Sequence, residues 1–324
     1  MNKLKKLGVS ALAGSLVAIS AQAGELAVSG TWELTYKSDD NAQTGNSFGS
    51  KSAIGFNGSG DMNGHTATWF AAINDNSPAG FSSHLVTLDM GDMGTVGFDQ
   101  GVGAYGFSTI DDKSPTAYEE SWHNTLNSSG GLGATGGTAG VLGYTNSFAG
   151  INLTAEYSPS FNNATDNGDG VTSGAGNQGS NVNFALTSAS LVDGLDIGVG
   201  AGENDDNRVT GATSQSQSSI GAYANYSMGP VTVGYTQTYS SGATAASSAN
   251  AVTAYGIAFN INDNLSVSWN QHENEYKKTA SAATGAVGQA DVTQESTGIA
   301  IAYTMGSASV KIQNNSMDNV TGTA

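Results

Sequence analysis

The chain has 324 residues, of which 38% are hydrophobic and only 11% charged, with 45 glycines, 4 prolines, no cysteine and a formal charge of −17. A soluble domain carries about a quarter charged residues, so this balance is unusual for one, and the ordered recurrence of aromatic and β-branched residues excludes a disordered tail. Lack of cysteine excludes a disulfide framework and thiol chemistry, and so acidic a surface argues against nucleic acid as a partner.

Residues 1–23 read as a secretory signal peptide. MNKLKK is a basic n-region, LGVSALAGSLVAIS an apolar h-region, and Ala21-Gln22-Ala23 an A-x-A cleavage site. The apolar run, about fourteen residues, is too short to span a bilayer as a helix. The mature chain is expected to begin near Gly24, and loss of Lys3, Lys5 and Lys6 takes the formal charge from −17 to −20. Residues 24–324 are expected to form one β domain.

That domain opens with ELAVSGTWELTYK, where Leu26, Val28, Trp32, Leu34 and Tyr36 alternate with Ala27, Ser29, Thr31, Glu33 and Thr35. Period two gives one apolar and one polar face. Against lipid the apolar face points outward, and small polar residues line a lumen. Ile54 and Phe56, then Trp69 and Ile73, then Val86 and Leu88, then Val96 and Phe98 repeat the pattern. After residue 140 come VLGYTN, INLTAEYSPS, NVNFALTSAS, LDIGVGAGEN, QSSIGAYANYS, VTVGYTQTYS, AVTAYGIAFN, LSVSWNQHENEY, ESTGIAIAYT and ASVKIQNNS. Five strands are thus expected before residue 101 and ten after residue 140.

Tight Gly/Asn/Asp turns alternate with long polar connections at 38–50, 101–140, 161–180, 203–216, 241–250 and 277–294. Short turns on one rim and long loops on the other mark an antiparallel up-and-down transmembrane β-barrel of the outer membrane. Aromatics near strand ends (Trp32, Tyr36, Trp69, Tyr157, Tyr239, Trp269, Tyr276, Tyr303) suit its two interfacial girdles. A surface adhesin or autotransporter-like β protein is the alternative, but a β-helical passenger repeats short rungs without alternating turn and loop lengths.

SHLVTLDMGDMGTVGFDQ and VLGYTNSFAGINLTAEYS flank the connection at 101–140. On these segments and the overall pattern, the chain resembles the general bacterial porins, trimeric sixteen-stranded diffusion channels. The resemblance implies a homotrimer among outer-membrane lipid and lipopolysaccharide, passing small hydrophilic solutes and ions. It places the long connection as the third loop, folded into the lumen as a constriction. Porins of this kind have sixteen strands and end on a strand with an aromatic residue. Fifteen strands and the ending DNVTGTA lead to the expectation that the last strand is missing from this chain.

The long connection carries Asp111, Asp112, Lys113, Glu119 and Glu120, expected at the constriction, where rings of acids favour cations. Alternation puts Glu33, Lys37, Lys51, Asp89, Asp99 and Lys311 on the lumenal face. The arginine cluster that the family sets opposite its loop acids has no counterpart, since Arg208 is the sole arginine. A net-negative, cation-preferring pore is expected.

No cofactor is expected. Acidic loop tips (Asp166, Asp169, Glu203, Asp205, Asp206) offer oxygen ligands for Ca²⁺, although DNGDG lacks the glutamate of an EF-hand and solvated tips are the favoured reading. The histidines are His65, His84, His123 and His272. His123 lies near Glu119 and Glu120, but no G-x-S-x-G or zinc-spaced set accompanies it, and no enzyme is expected. GLGATGG (131–137) lacks the Lys-Ser/Thr of a phosphate loop.

Overall fold

The computed structural model describes residues 17–21, 24–38, 46–74, 81–123, 140–159, 179–205, 216–241, 249–277 and 292–319. The strands are β1 (Val17–Ala21), β2 (Gly24–Tyr36), β3 (Phe48–Met62), β4 (His65–Asn74), β5 (Ser83–Asp89), β6 (Thr95–Gln100), β7 (Val141–Phe148) and β8 (Ile151–Ser158). They continue as β9 (Asn181–Ser188), β10 (Leu195–Asn204), β11 (Gln217–Met228), β12 (Val231–Ser240), β13 (Ala249–Asn260), β14 (Leu265–Lys277), β15 (Val292–Met305) and β16 (Ala308–Asp318). Each pairs antiparallel with the next, giving one sheet in simple sequence order. β1 falls within the stretch read as a signal peptide, so among the described residues from 24 onward there are fifteen strands, five before the long connection and ten after it. Among the described residues no ladder joins the first strands to β16.

The hairpins are built by their turns. Asn63 and Gly64, at φ 55° and 84°, both take the left-handed conformation of a type I′ turn, whose twist matches that of the flanking β3 and β4. Ala149 and Gly150 do the same between β7 and β8.

The sheet is sorted opposite to a water-soluble protein. Outward side chains are large and apolar yet exposed: Trp32 at 70%, Ile220 at 62%, with Leu34, Phe184 and Ile299 in the same class. Inward side chains are small or polar and covered: Asn181, Asn183, Asn270, Ser268 and Ser296 are all buried. A sheet face this apolar needs cover from water, which lipid supplies, and strands can cross lipid only when their backbone groups are satisfied by neighbouring strands. No helix among the described residues is long and apolar enough to cross a membrane.

Most of the expected girdle aromatics point outward, but Tyr276 does not. It shares the inward face of β14 with His272 and Asn274, and its hydroxyl donates to Gln294 Oε1 at 3.4 Å. Alternation through NQHENEYK, polar on both faces, does not reveal which set faces in.

Candidate functional site

The connection after β6 turns inward at once. The carboxylate of Asp99, only 2% exposed, accepts the N–H of Val102 and of Ala104, each at 2.7 Å. Gln100 Oε1 accepts the N–H of Gly140 at 2.8 Å, so the two ends of the connection are tied together at its base. Residues 124–139 lie outside the described residues.

From there the loop follows the inner wall strand by strand. The ring of Tyr105 lies over Gly97 and Gly143, which are cross-strand partners on β6 and β7; a Cβ on either would come within 2.0–2.1 Å of it. Gly106 donates its N–H to Thr154 Oγ1 of β8 at 2.9 Å, and Phe107 to Asn183 Oδ1 of β9 at 2.6 Å. Asn183 is held for this role, donating to Glu156 and to Asn181 Oδ1. The Phe107 ring covers a second glycine couple, Gly200 on β10 and Gly221 on β11, and packs with Ile110, Ala185 and Tyr223. Pro115 covers a third, Gly234 on β12 and Gly256 on β13. At each couple, two missing side chains let the loop approach the wall by about the thickness of a ring.

The far end is held mainly by side-chain amides and hydroxyls. Ala117 donates its N–H to Ser268 Oγ at 2.8 Å and Ser121 to Asn270 Oδ1 at 2.6 Å, both on β14. The hydroxyls of Ser121 and Ser296 on β15 share a hydrogen bond of 2.9 Å. Gln313 Nε2 of β16 donates to the carbonyls of Glu119 (2.8 Å) and Glu120 (3.1 Å), and Asn315 Nδ2 to that of His123 (3.1 Å). Trp122 stacks on His272, ring centroids 4.4 Å apart. Tyr118 touches both ends of the sheet: its hydroxyl donates to Glu33 of β2 at 3.3 Å, and Lys311 of β16 sits over its ring at 4.8 Å. One ring can meet β2 and β16 together only because the sheet curls round on itself with the loop inside.

The loop acids are unequal. Asp112 is exposed, held at a left-handed φ of 51°; Asp111 and Glu119 are half-buried; Glu120 is buried. Burial, and after it the charge of Asp112, push the Glu120 carboxyl up to about 8 against the opposing pull of a backbone hydrogen bond, with Glu119 and Asp111 adding smaller upward pushes. Asp112 is raised as well, first by its surroundings and then by Glu119, with His123 and Lys113 opposing. The four acids therefore share one electrostatic neighbourhood, and at neutral pH Glu120 is mostly protonated. The Tyr118 hydroxyl is pushed up to about 12 by burial and by Glu33.

Of the wall charges, Glu33 and Lys51 are direct cross-strand partners on the inward face of β2 and β3. Lys37 is the residue directly after the end of β2, and Lys311 lies across the Tyr118 ring. Asp89 is the last residue of β5, a cross-strand partner of Thr95, and accepts the N–H of Gly91 at 2.9 Å. Asp99 is on the inward side but covered by the loop it anchors. Asn183, Glu156, Asn225 and Gln313 hold the loop without having been singled out in the sequence. Their one signal is a large polar residue at an inward position among small ones.

Asp166, Asp169 and Asp206 lie outside the described residues. Glu203 is next to last in β10, on its outward side, and Asp205 accepts the hydroxyls of Ser180 and Ser216 at 3.3 and 3.4 Å. Among the described residues there is no group of three or more His, Cys, Asp or Glu able to hold a metal ion.

Residues 8–323 match the Gram-negative porin family. The chain is a Gram-negative porin. This porin, a channel of the outer membrane, is similar in fold to a porin whose structure was refined at 1.8 Å, with TM-score 0.64 and 18% identity over 91% of this chain and 96% of that one. It is similar to OmpF of Salmonella typhi, solved with daunomycin (TM-score 0.61, 14% identity, 92% of each chain). It is also similar to an anion-selective porin from Comamonas acidovorans (TM-score 0.56, 13% identity, 93% of this chain and 89% of that one). A comparison with curated proteins finds no match.

Proposed function

We propose that this porin is a passive diffusion channel for small hydrophilic solutes and ions, mildly preferring cations, narrowed by the loop of residues 101–123 and assembled as a homotrimer in lipid and lipopolysaccharide. The observation that supports the channel is the inverted burial, apolar outside and polar inside, with a loop docked along the inner wall. Transport by such a structure is filtration by width and field, with no bond made or broken and no cofactor.

The preference rests on the balance of charge on the loop and inner wall. Asp111, Asp112, Glu119, Glu33 and Asp196 stand against Lys113, Lys51 and Lys311, with Glu120 largely neutral. The excess of carboxylates is small, and low-dielectric walls strengthen its field. The name of one protein of the same fold calls it anion-selective, which supports the reading that lining residues, and not the barrel, set the sign. The reversal potential of the purified protein in a KCl gradient across a planar bilayer tests this. A potential of anion-preferring sign refutes the cation preference.

A further inference from the structure

A cavity of about 760 Å³ lies between the underside of the loop and the inner wall of β6 to β11. Its size falls within the range of small-molecule sites, roughly 300–1,000 Å³, but it lacks their apolar lining. Hydroxyls of Thr95, Thr145, Thr154 and Thr187 coat the wall. Into this polar chamber project three charges: Lys113 from the loop, Asp196 from β10, and Asp92 from the turn between β5 and β6.

Among the described residues these charges form no ion pair with one another, although the charge of Lys113 also acts on its neighbour Asp112. The backbone carbonyl of Lys113 accepts a hydrogen bond from Asn225 Nδ2 at 2.8 Å, which fixes where its side chain starts. Its amine lies 5.8 Å from the centre of the Tyr223 ring, and the Tyr223 hydroxyl donates to Asp196 Oδ1 at 3.0 Å. Among the described residues Lys113 makes no ion pair, and Asp196 receives that one hydroxyl. A cation and an anion thus face one chamber, separated by a tyrosine, each with capacity for a further charged partner. Lys113 has three donors on its amine and Asp196 several free lone pairs.

We propose that this chamber is a binding subsite for small zwitterions of the free amino acid type. The solute's carboxylate pairs with Lys113 and its ammonium with Asp196, with Asp92 adding to the attraction for the ammonium end. A neutral polyol of the same size finds hydroxyls alone. A simple anion is opposed by two carboxylates, and a simple cation meets the lysine. This inference rests on the channel reading above and deepens it, turning part of the pore into a weakly selective path.

The test uses the full-length protein in planar bilayers at pH 7, with L-serine as the zwitterion and glycerol as the neutral control. Serine is expected to lower the KCl current saturably, and glycerol only in proportion to its concentration. Lys113→Gln and Asp196→Asn, each removing one ion pair, should each raise the half-saturating serine concentration about tenfold, the equivalent of 1.4 kcal/mol. The exchange variant carrying Lys113→Asp with Asp196→Lys should recover saturation. Identical effects of serine and glycerol on the wild-type channel overturn the subsite without needing any variant to fold. Saturation that survives both single substitutions overturns the assignment to Lys113 and Asp196. A protein that passes no KCl current at all refutes the channel reading itself, a result distinct from a conducting pore indifferent to serine.

Discussion

Replacing Gly143 by alanine tests whether the wall glycines set the position of the loop. A Cβ there would lie 2.1 Å from Cδ2 of Tyr105, where ordinary contact begins at 3.4 Å, so the ring must retreat by about 1.3 Å. It cannot slide along the wall, because Asp99 fixes the backbone at Val102 and Ala104 just before it. Inward is the direction left. Overpacking of this kind costs about 1–3 kcal/mol. The assay is twofold: urea unfolding of the reconstituted barrel, and single-channel conductance. Gly143→Ala should unfold at lower urea and conduct less. In a background of Tyr105→Ala the same substitution should be nearly neutral in both, because the clashing ring is gone. Effects of the two substitutions that add within about 0.5 kcal/mol, or a conductance unaffected by Gly143→Ala, refute the reasoning.

Three further outcomes follow from the loop and the wall. Asp99→Ala leaves two loop amides without an acceptor and should cost about 1–3 kcal/mol; Asp99→Asn keeps one acceptor oxygen and should cost less, read from the same urea curves. Glu120→Gln concerns pH: the folded carboxyl titrates near 8, above its ordinary value of 4.5, so the folded state holds this proton through the window in which the unfolded chain gives it up. Its contribution therefore favours folding at low pH and is progressively lost from about pH 4.5 to 8. Wild-type cation preference should rise between about pH 7 and 9 as Glu120 ionises, and in Glu120→Gln that rise should be absent from the reversal potential. Tyr118→Phe removes the hydrogen bond to Glu33 and should cost about 0.5–1.5 kcal/mol in unfolding, while leaving the ring beneath Lys311.

Much of the fold could be read from the sequence because strand alternation is a local signal. Leu26 to Tyr36 announces its own apolar face, and tight turns such as Asn63-Gly64 announce the hairpins. The division of strands about the long connection, five before and ten after, follows from the same counting. The loop's docking could not be read this way. Gly97 and Gly143 become a pair only through the register of β6 against β7, and Gly200 with Gly221 through that of β10 against β11; in sequence they are four scattered glycines among forty-five. The cluster of acids was legible, but their inequality was not. Glu120 differs from Glu119 because Ser121 and Trp122 draw it against β14 to β16, a consequence of packing between residues far apart in the chain.

The order in which the loop meets the wall has a consequence for how the barrel is made. Tyr105 needs β6 and β7, Phe107 needs β9 to β11, and Pro115 needs β12 and β13. The carbonyl of Glu119 waits for Gln313, 194 residues further on. Hairpins close locally and early, whereas contacts of such separation close late. The loop therefore seats progressively as the wall grows, and its last fastenings arrive with β16. A sheet stalled before β14 therefore holds its loop through Tyr105, Phe107 and Pro115, with the Glu119 end still unfastened from Gln313.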